Sequence, residues 1–392
     1  MKALFEGVRY GAAIAGALAL LVGCKPAPKP PPVAAPLPRF DAPLSQPAAA
    51  LAANIFAQSE ASGTVVAVVR GDAMTTLGFG RVAPRDASSP DGRTLVRLQS
   101  VSKLLAADLL ATMVAKGQVT LADPLARFGP PGWTPTKGLS DAPILLVNLA
   151  THTSGLPRDG IPPGLPADAA TAARWSWLAQ QTTLPRPGRG AQYSNVAFDF
   201  LGDALSAARK TSYGQLLAAE VTGPDGMRDT TASPSAQACA RLMTSDPRRP
   251  RHPCIDQSGE AASGGLYSTA DDMALWLRSQ LAPGAERDRR RISQAIYARR
   301  SALAYVGGLD HAGRATGVGL GWIEEDADGA HPRILEKTGG GDGFLSYVVI
   351  DPERRVGVFV GFNNMSGHRL EAVADAADAL AAELAAEVSA AR

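Results

Sequence analysis

Apolar residues follow two different spacings along this chain, and the change of spacing divides it. Near the start, residues 64–69 are a continuous β-branched and apolar run. Gly71-Asp72 then turns the chain into residues 74–82, which predicts a hairpin. Strand character returns at residues 318–324 and 334–337, and at a second hairpin, 347–350 with 356–362, around Asp351-Pro352-Glu353. Between these ends, from about residue 104 to 281, the spacing is mostly helical, broken by long Gly/Pro stretches at 129–138, 155–166 and 223–234. Helices are also expected over residues 48–58 and, rich in Ala and Leu, over residues 369–388. The fold class this predicts is α/β of the α+β kind. An antiparallel sheet is built from both ends of the chain and flanked by the terminal helices. A mostly helical subdomain, about 104–281, is inserted between its strands.

The helical middle opens on Leu98-Gln99-Ser100-Val101-Ser102-Lys103-Leu104-Leu105, and its apolar pattern runs to Lys116-Gly117, a helix stop signal. Residues three apart share a helix face, so Lys103 stands one turn beyond Ser100. Ser100 falls at the helix N-terminus, where unpaired N–H groups and the helix dipole favour negative charge. A hydroxyl, an amine and an anion-stabilising terminus are what a serine nucleophile requires. A Ser-x-x-Lys alone is weak. Further on, however, come Tyr193-Ser194-Asn195 and Lys337-Thr338-Gly339-Gly340, and the three together rarely arise by chance.

Composition sharpens this reading. The chain has 392 residues, 45% hydrophobic and 19% charged, with a net charge of +2, which suits a globular protein and gives no reason to expect a nucleic-acid partner. Only eight of the 39 basic residues are Lys, and two of the five beyond residue 50 are Lys103 and Lys337. Arg cannot deprotonate in a protein, whereas a desolvated Lys titrates near neutrality. The Arg-rich stretches at 248–252 and 287–291 read as solvated faces. His152 is not required as a base, because Lys103 and Tyr193 already supply candidates. No metal-ligand spacing and no phosphate-cradling glycine loop is present, so no cofactor or metal is expected.

Residues 1–23 read as an export signal: a charged start, then an apolar run too short to span a membrane comfortably. It ends at Leu21-Val22-Gly23-Cys24, which resembles a bacterial lipoprotein box and implies a lipid anchor on Cys24. Residues 24–50 carry nine prolines and read as an extended tether holding a domain, residues 51–392, off a membrane. Cleavage at Cys24 leaves Cys239 and Cys254, 15 residues apart, as a disulfide candidate in an oxidising compartment. The implied location is the cell envelope, facing the periplasm. Lys25 after the Cys, by analogy with lipoprotein sorting, points to the outer membrane.

Ser-x-x-Lys, Tyr-x-Asn and Lys-Thr-Gly in this order resemble the serine β-lactamase and penicillin-binding-protein superfamily, and the tyrosine in the middle motif resembles its class C branch. The stretches 148–158, 193–199, 227–231, 239–243 and 265–270 are similar to the AmpH-type D-alanyl-D-alanine carboxypeptidase/endopeptidases. The resemblance implies acyl transfer through a serine ester on peptidoglycan peptides, and acylation by β-lactams. Ser100 would be the nucleophile and either Lys103 or Tyr193 its base. Asn195 would meet the substrate's amide, Lys337 and Thr338 its carboxylate, and Gly339 would leave room along the strand edge. The backbone N–H groups of Ser100 and Gly340 would form the oxyanion hole. Class C β-lactamases carry Asn-Lys-x-Tyr-Pro where this chain has Asn363-Asn364-Met365-Ser366-Gly367, which weighs against efficient antibiotic hydrolysis. A β-lactamase, an esterase and a non-catalytic wall-binding lipoprotein are the alternatives to a peptidase.

Overall fold

The three best buried strands of the main sheet, residues 63–70, 344–351 and 356–363, are rich in β-branched and aromatic residues and are buried on both faces. The computed structural model describes residues 38–83, 86–136, 141–244, 254–284, 287–309, 313–329, 332–363 and 369–390. In chain order the strands are β1 (Gly63–Arg70), β2 (Ala73–Gly80), β3 (Leu95–Arg97), β4 (Ala191–Gln192), β5 (Tyr267–Thr269) and β6 (Ile296–Arg299). They continue as β7 (Val306–Gly307), β8 (Gly317–Gly319), β9 (Ile323–Glu325), β10 (Ile334–Gly341), β11 (Phe344–Asp351) and β12 (Val356–Asn363). Eight form one antiparallel sheet in the order β2-β1-β12-β11-β10-β9-β8-β6, so the chain's two ends meet at the β1–β12 pairing. The α+β expectation holds. The short pairs β3–β5 and β4–β7 lie outside the sheet and were not legible in the sequence.

Helix α1 (Gln46–Ser59) and the C-terminal helix (Leu370–Ala390) cover one sheet face. Ala48, Ala52 and Ile55 pack there with Val373, Ala377, Leu380 and Leu384 over Val66, Val68, Val358 and Val360. Each of the Val, Leu and Ile side chains among them contributes about 1.5–3 kcal/mol on burial. The start of α1 corrects the expected tether boundary at residue 50. Ser45 caps the helix by accepting from the Ala48 N–H at 3.2 Å, and Pro47 stands in the first turn, where its missing N–H costs nothing. Upstream, Thr76 N donates to Phe40 O and Ala42 N to Met74 O, covering the β2 edge. Residues 39–50 therefore belong to the folded unit. The expected signal peptide, Cys24 and the rest of the tether lie outside the described residues.

On the other face, Ala67 and Val69 pack in the same core as helix α2 (Ser102–Ala115). Every residue of α2 from Ser102 to Met113 is buried, as expected of a helix hydrophobic all round. The helix Ala270–Leu281 also lies on this face, against β1, β2 and β12. That corrects the extent of the helical subdomain, whose last expected element is a layer of the sheet domain. It also explains Gly357, where a Cβ would come within 3.1 Å of Leu277 and Leu281.

A third correction concerns the arginines at 287–291. Arg289 is only 4% exposed. Its Nη1 donates to Asp108 Oδ2 on α2 at 2.7 Å, and Gln280 Nε2 donates to the same oxygen at 2.8 Å. A solvated face was expected because the run of charge hides one inward position. The basic stretch 248–252 lies outside the described residues. We expect Arg289→Ala to lose about 3–5 kcal/mol in urea denaturation by stranding the Asp108 charge. Arg287→Ala, on the exposed side, should change stability by less than about 0.5 kcal/mol.

Candidate active site

The Ser-x-x-Lys segment does not begin as a simple helix. Gln99–Val101 form a turn of 3₁₀ helix, and α2 takes over at Ser102. Gln99 has φ +50°, a left-handed conformation costing a non-glycine residue about 1–2 kcal/mol. Contacts with β10 and β11 hold it there. Gln99 Nε2 donates to Gly341 O at 2.8 Å, and Ser346 Oγ donates to Leu98 O at 2.6 Å. Arg97 pairs with Asp342 at 2.6 Å.

The strand expected over residues 334–337 runs on to Gly341. The glycines lie inside β10, and the chain reverses only at Asp342 (φ +49°) and Gly343 (φ +76°). They are there for clearance. A Cβ on Gly339 would stand 2.6 Å from Leu98 O and 3.1 Å from Ser100 N. Strand β9 pairs with β10 only as far as Glu336, whereas β11 continues through Gly341. The stretch Lys337–Gly341 therefore presents an edge with no strand of the sheet on it, beside Ser100.

Ser100, Lys103, Tyr193, Asn195 and Lys337 converge. Ser100 Oγ and Tyr193 Oη are hydrogen-bonded, and Lys103 Nζ is 3.2 Å from Ser100 Oγ. Lys103 also donates to Asn195 Oδ1 at 2.7 Å and to Ser263 O at 2.5 Å. Both of these partners only accept, so a neutral Lys103 can spend its two hydrogens on them and direct its lone pair at the serine hydroxyl. Burial lowers its pKa from 10.5 to about 7, opposed by Asp199 and reinforced by Arg158. Burial also lowers the Lys337 pKa, a shift that the Tyr193 and Glu336 charges oppose and those of Lys103 and Arg158 reinforce. Three cations surround the Tyr193 ring: Lys103 at 4.8 Å from its centre, Lys337 at 5.3 Å and Arg158 at 4.8 Å. A site so arranged can take a proton from Ser100 and favours an anionic ligand. Thr338 and Gly340 follow Lys337 and Gly339 along the same strand.

His152 is no triad base. Its Nδ1 accepts from Ser194 N at 3.0 Å, its ring stacks on Tyr193 at 4.8 Å, and burial with the nearby cations lowers its pKa well below 6.5. A neutral ring fixing Tyr193 is the role left to it. Asn195, expected to face a substrate amide, is engaged on both sides, since its Nδ2 also donates to Asp159 Oδ1 at 2.8 Å. Sequence reasoning assigned no role to Gln99, Arg158, Asp159 or Asp199. Only the position of Asp199, one helical turn beyond Asn195, could have drawn attention to it. Asn363 is buried, accepting from Ser62 Oγ and Gly63 N, each at 3.0 Å, and residues 364–367 lie outside the described ones. Cys239 and Cys254 are joined by a disulfide. Among the described residues no cluster of His, Cys, Asp or Glu suits a metal.

The fold and this cluster define a serine hydrolase. The β-lactamase family model matches residues 48–383, and the chain belongs to that family. It is 36% identical to the D-alanyl-D-alanine-carboxypeptidase/endopeptidase AmpH of Escherichia coli K12, over 84% of this chain and 87% of that one. It is 24% identical to a β-lactamase of the same organism, over 72% and 78%. The solved β-lactamase/D-alanine carboxypeptidase of Yersinia pestis, complexed with citrate, superposes with a TM-score of 0.78 at 34% identity, covering 86% of this chain and 98% of that one.

Gly339→Ala should push β10 off the serine turn and slow labelling of Ser100 by a fluorophosphonate about 10²-fold, as displacements of about 1 Å do. Gly340→Ala, where the new Cβ meets only the tip of Leu345 at 2.9 Å, should label at close to the parent rate.

Proposed function

We propose that this protein is a cell-envelope DD-peptidase that cleaves D-alanyl peptide bonds of peptidoglycan through a serine ester and is acylated at the same residue by penicillins. The observation that carries the reading is the Ser100–Tyr193–Lys103 cluster beside the bare edge of β10, with Lys337 and Arg158 against the same tyrosine. Ser100 Oγ attacks the penultimate D-Ala carbonyl as its proton passes to the Tyr193/Lys103 pair, both of which reach that hydroxyl. The Ser100 and Gly340 N–H groups take the developing oxyanion, a contribution worth about 10²–10³ in rate for each donor. The pair returns the proton to the departing amine. Water, deprotonated by the same pair, then releases the acyl group and restores the serine. Lys337, Thr338 and Arg158 meet the terminal carboxylate, and Gly339 lets the peptide lie along the strand.

The likeness to AmpH over most of both chains supports the substrate class. The leader, Cys24 and the Pro-rich segment support a lipid-anchored location facing the periplasm, at the outer membrane, with the wall in reach. No described helix is long and apolar enough to cross a membrane. A β-lactamase is the second reading, favoured by the matches at 22–24% identity to proteins of that name. The two differ in how fast water clears the acyl-enzyme.

The full chain incubated with a peptide ending in D-Ala-D-Ala should release D-Ala, and Ser100→Ala should abolish the release. Rapid, repeated turnover of a penicillin with no D-Ala released would replace the peptidase by the β-lactamase.

A further inference from the structure

Behind the catalytic lysine lies a cavity of about 820 Å³, within the usual range for small-molecule sites. Phe128, Trp133 and Trp175 line one part of it, with the two indoles edge to face at 4.9 Å. Asp199 and Tyr213 line another. Asp199 is only 7% exposed, and neither its Oδ1 nor the buried Tyr213 hydroxyl has a hydrogen-bond partner among the described residues. A carboxylate oxygen left without a partner at a cavity wall is costly unless something supplies a donor.

The charges around Asp199 say what that donor is. Arg174, the nearest fixed cation, is already committed. Its Nε and Nη2 donate to Asp203 at 2.8 and 2.6 Å, and its Nη1 donates to Gly259 O at 2.9 Å. Ser263 and Lys103 face Asp199 from the active-site side, and Asp203 adds a like charge. The cavity thus offers two acceptor oxygens and aromatic walls; its one further lining cation, Lys210, is exposed and is not among the charges acting on Asp199. A primary ammonium brings three N–H donors, and an attached ring suits the tryptophan wall.

We propose that this cavity is a second binding site, taking a small amphipathic amine whose ammonium group sits on Asp199 and Tyr213 and whose apolar body lies against Trp133 and Trp175. Because Asp199 stands between the cavity and Lys103, such a ligand also acts on the catalytic lysine. Burial raises the Asp199 pKa to about 7, so once ionised its charge supports the Lys103 ammonium, and an ammonium answering it from the cavity side offsets that support. Lys103 then gives up its proton at lower pH, and Ser100 is acylated under more acidic conditions.

The probes are 2-phenylethylamine, 2-phenylethanol and 3-phenylpropionate, read by tryptophan emission of the full chain, which reports binding whatever substrate Ser100 takes. The amine should give a saturable change, the alcohol a weaker one and the carboxylate none. Asp199→Asn should weaken the amine about tenfold or more, the value of a hydrogen bond to a charged group. Ala172→Phe, which fills the cavity from its rim, should abolish binding and leave Ser100 acylation by a penicillin unchanged. Saturating amine should move the acid limb of that acylation down by about half a pH unit or more in the parent and not in Ala172→Phe. Equal binding of amine and carboxylate would overturn the site, as would indifference to both substitutions or displacement by penicillin. Amine binding that leaves the pH profile in place would overturn the link to Lys103.

Discussion

The site depends on how closely the Leu98–Ser100 backbone lies against β10 and β11. Ser346 Oγ on Leu98 O and Gln99 Nε2 on Gly341 O fasten one to the other. The missing side chain at Gly339 lets them approach. This contact puts the serine's N–H beside the bare strand edge and holds Gln99 in a left-handed conformation that it would not keep alone. Without it, the two halves of the site would belong to different layers of the fold with nothing to fix their register.

Electrostatics does the rest. Lys103 is wholly buried among acceptors and a hydroxyl, so desolvation outweighs the pull of Asp199 and brings its pKa to about 7. An arginine could not respond in this way. The neighbouring cation Arg158 works in the same direction on Lys103, and together with Lys337 it makes the site attractive to a carboxylate. His152, kept neutral by the same surroundings, adds no charge while it packs against Tyr193.

Much of this was legible in the chain because it rests on local pattern. The β1–β2 and β11–β12 hairpins carry strong β-branched runs with turn residues between them, and the terminal helices announce themselves by composition. Ser100, Lys103, Tyr193, Asn195 and Lys337 were visible because their spacing is improbable. What escaped needed three dimensions. Gly339-Gly340 signals a turn to local reasoning, yet the glycines serve a backbone approach from residues 240 positions away. Arg289 looked like one charge in a solvated run until α2 placed Asp108 opposite it. Residues 39–50 looked like tether because their prolines favour extended chain, but Ser45 and Pro47 start a helix that the sheet can bury. Strands β3, β4, β5 and β7, two or three residues each, carry too little pattern to stand out.

The central claim is that desolvation makes Lys103 titrate near neutrality and so arms Ser100. The rate of penicilloyl-adduct formation, followed by intact mass from pH 5 to 10 with the adduct mapped by peptide digestion, tests it most directly. The adduct should lie on Ser100, and its rate should rise with a midpoint near 7 before levelling off. A midpoint near 10, the range of an ordinary lysine, or an adduct on another residue would contradict it.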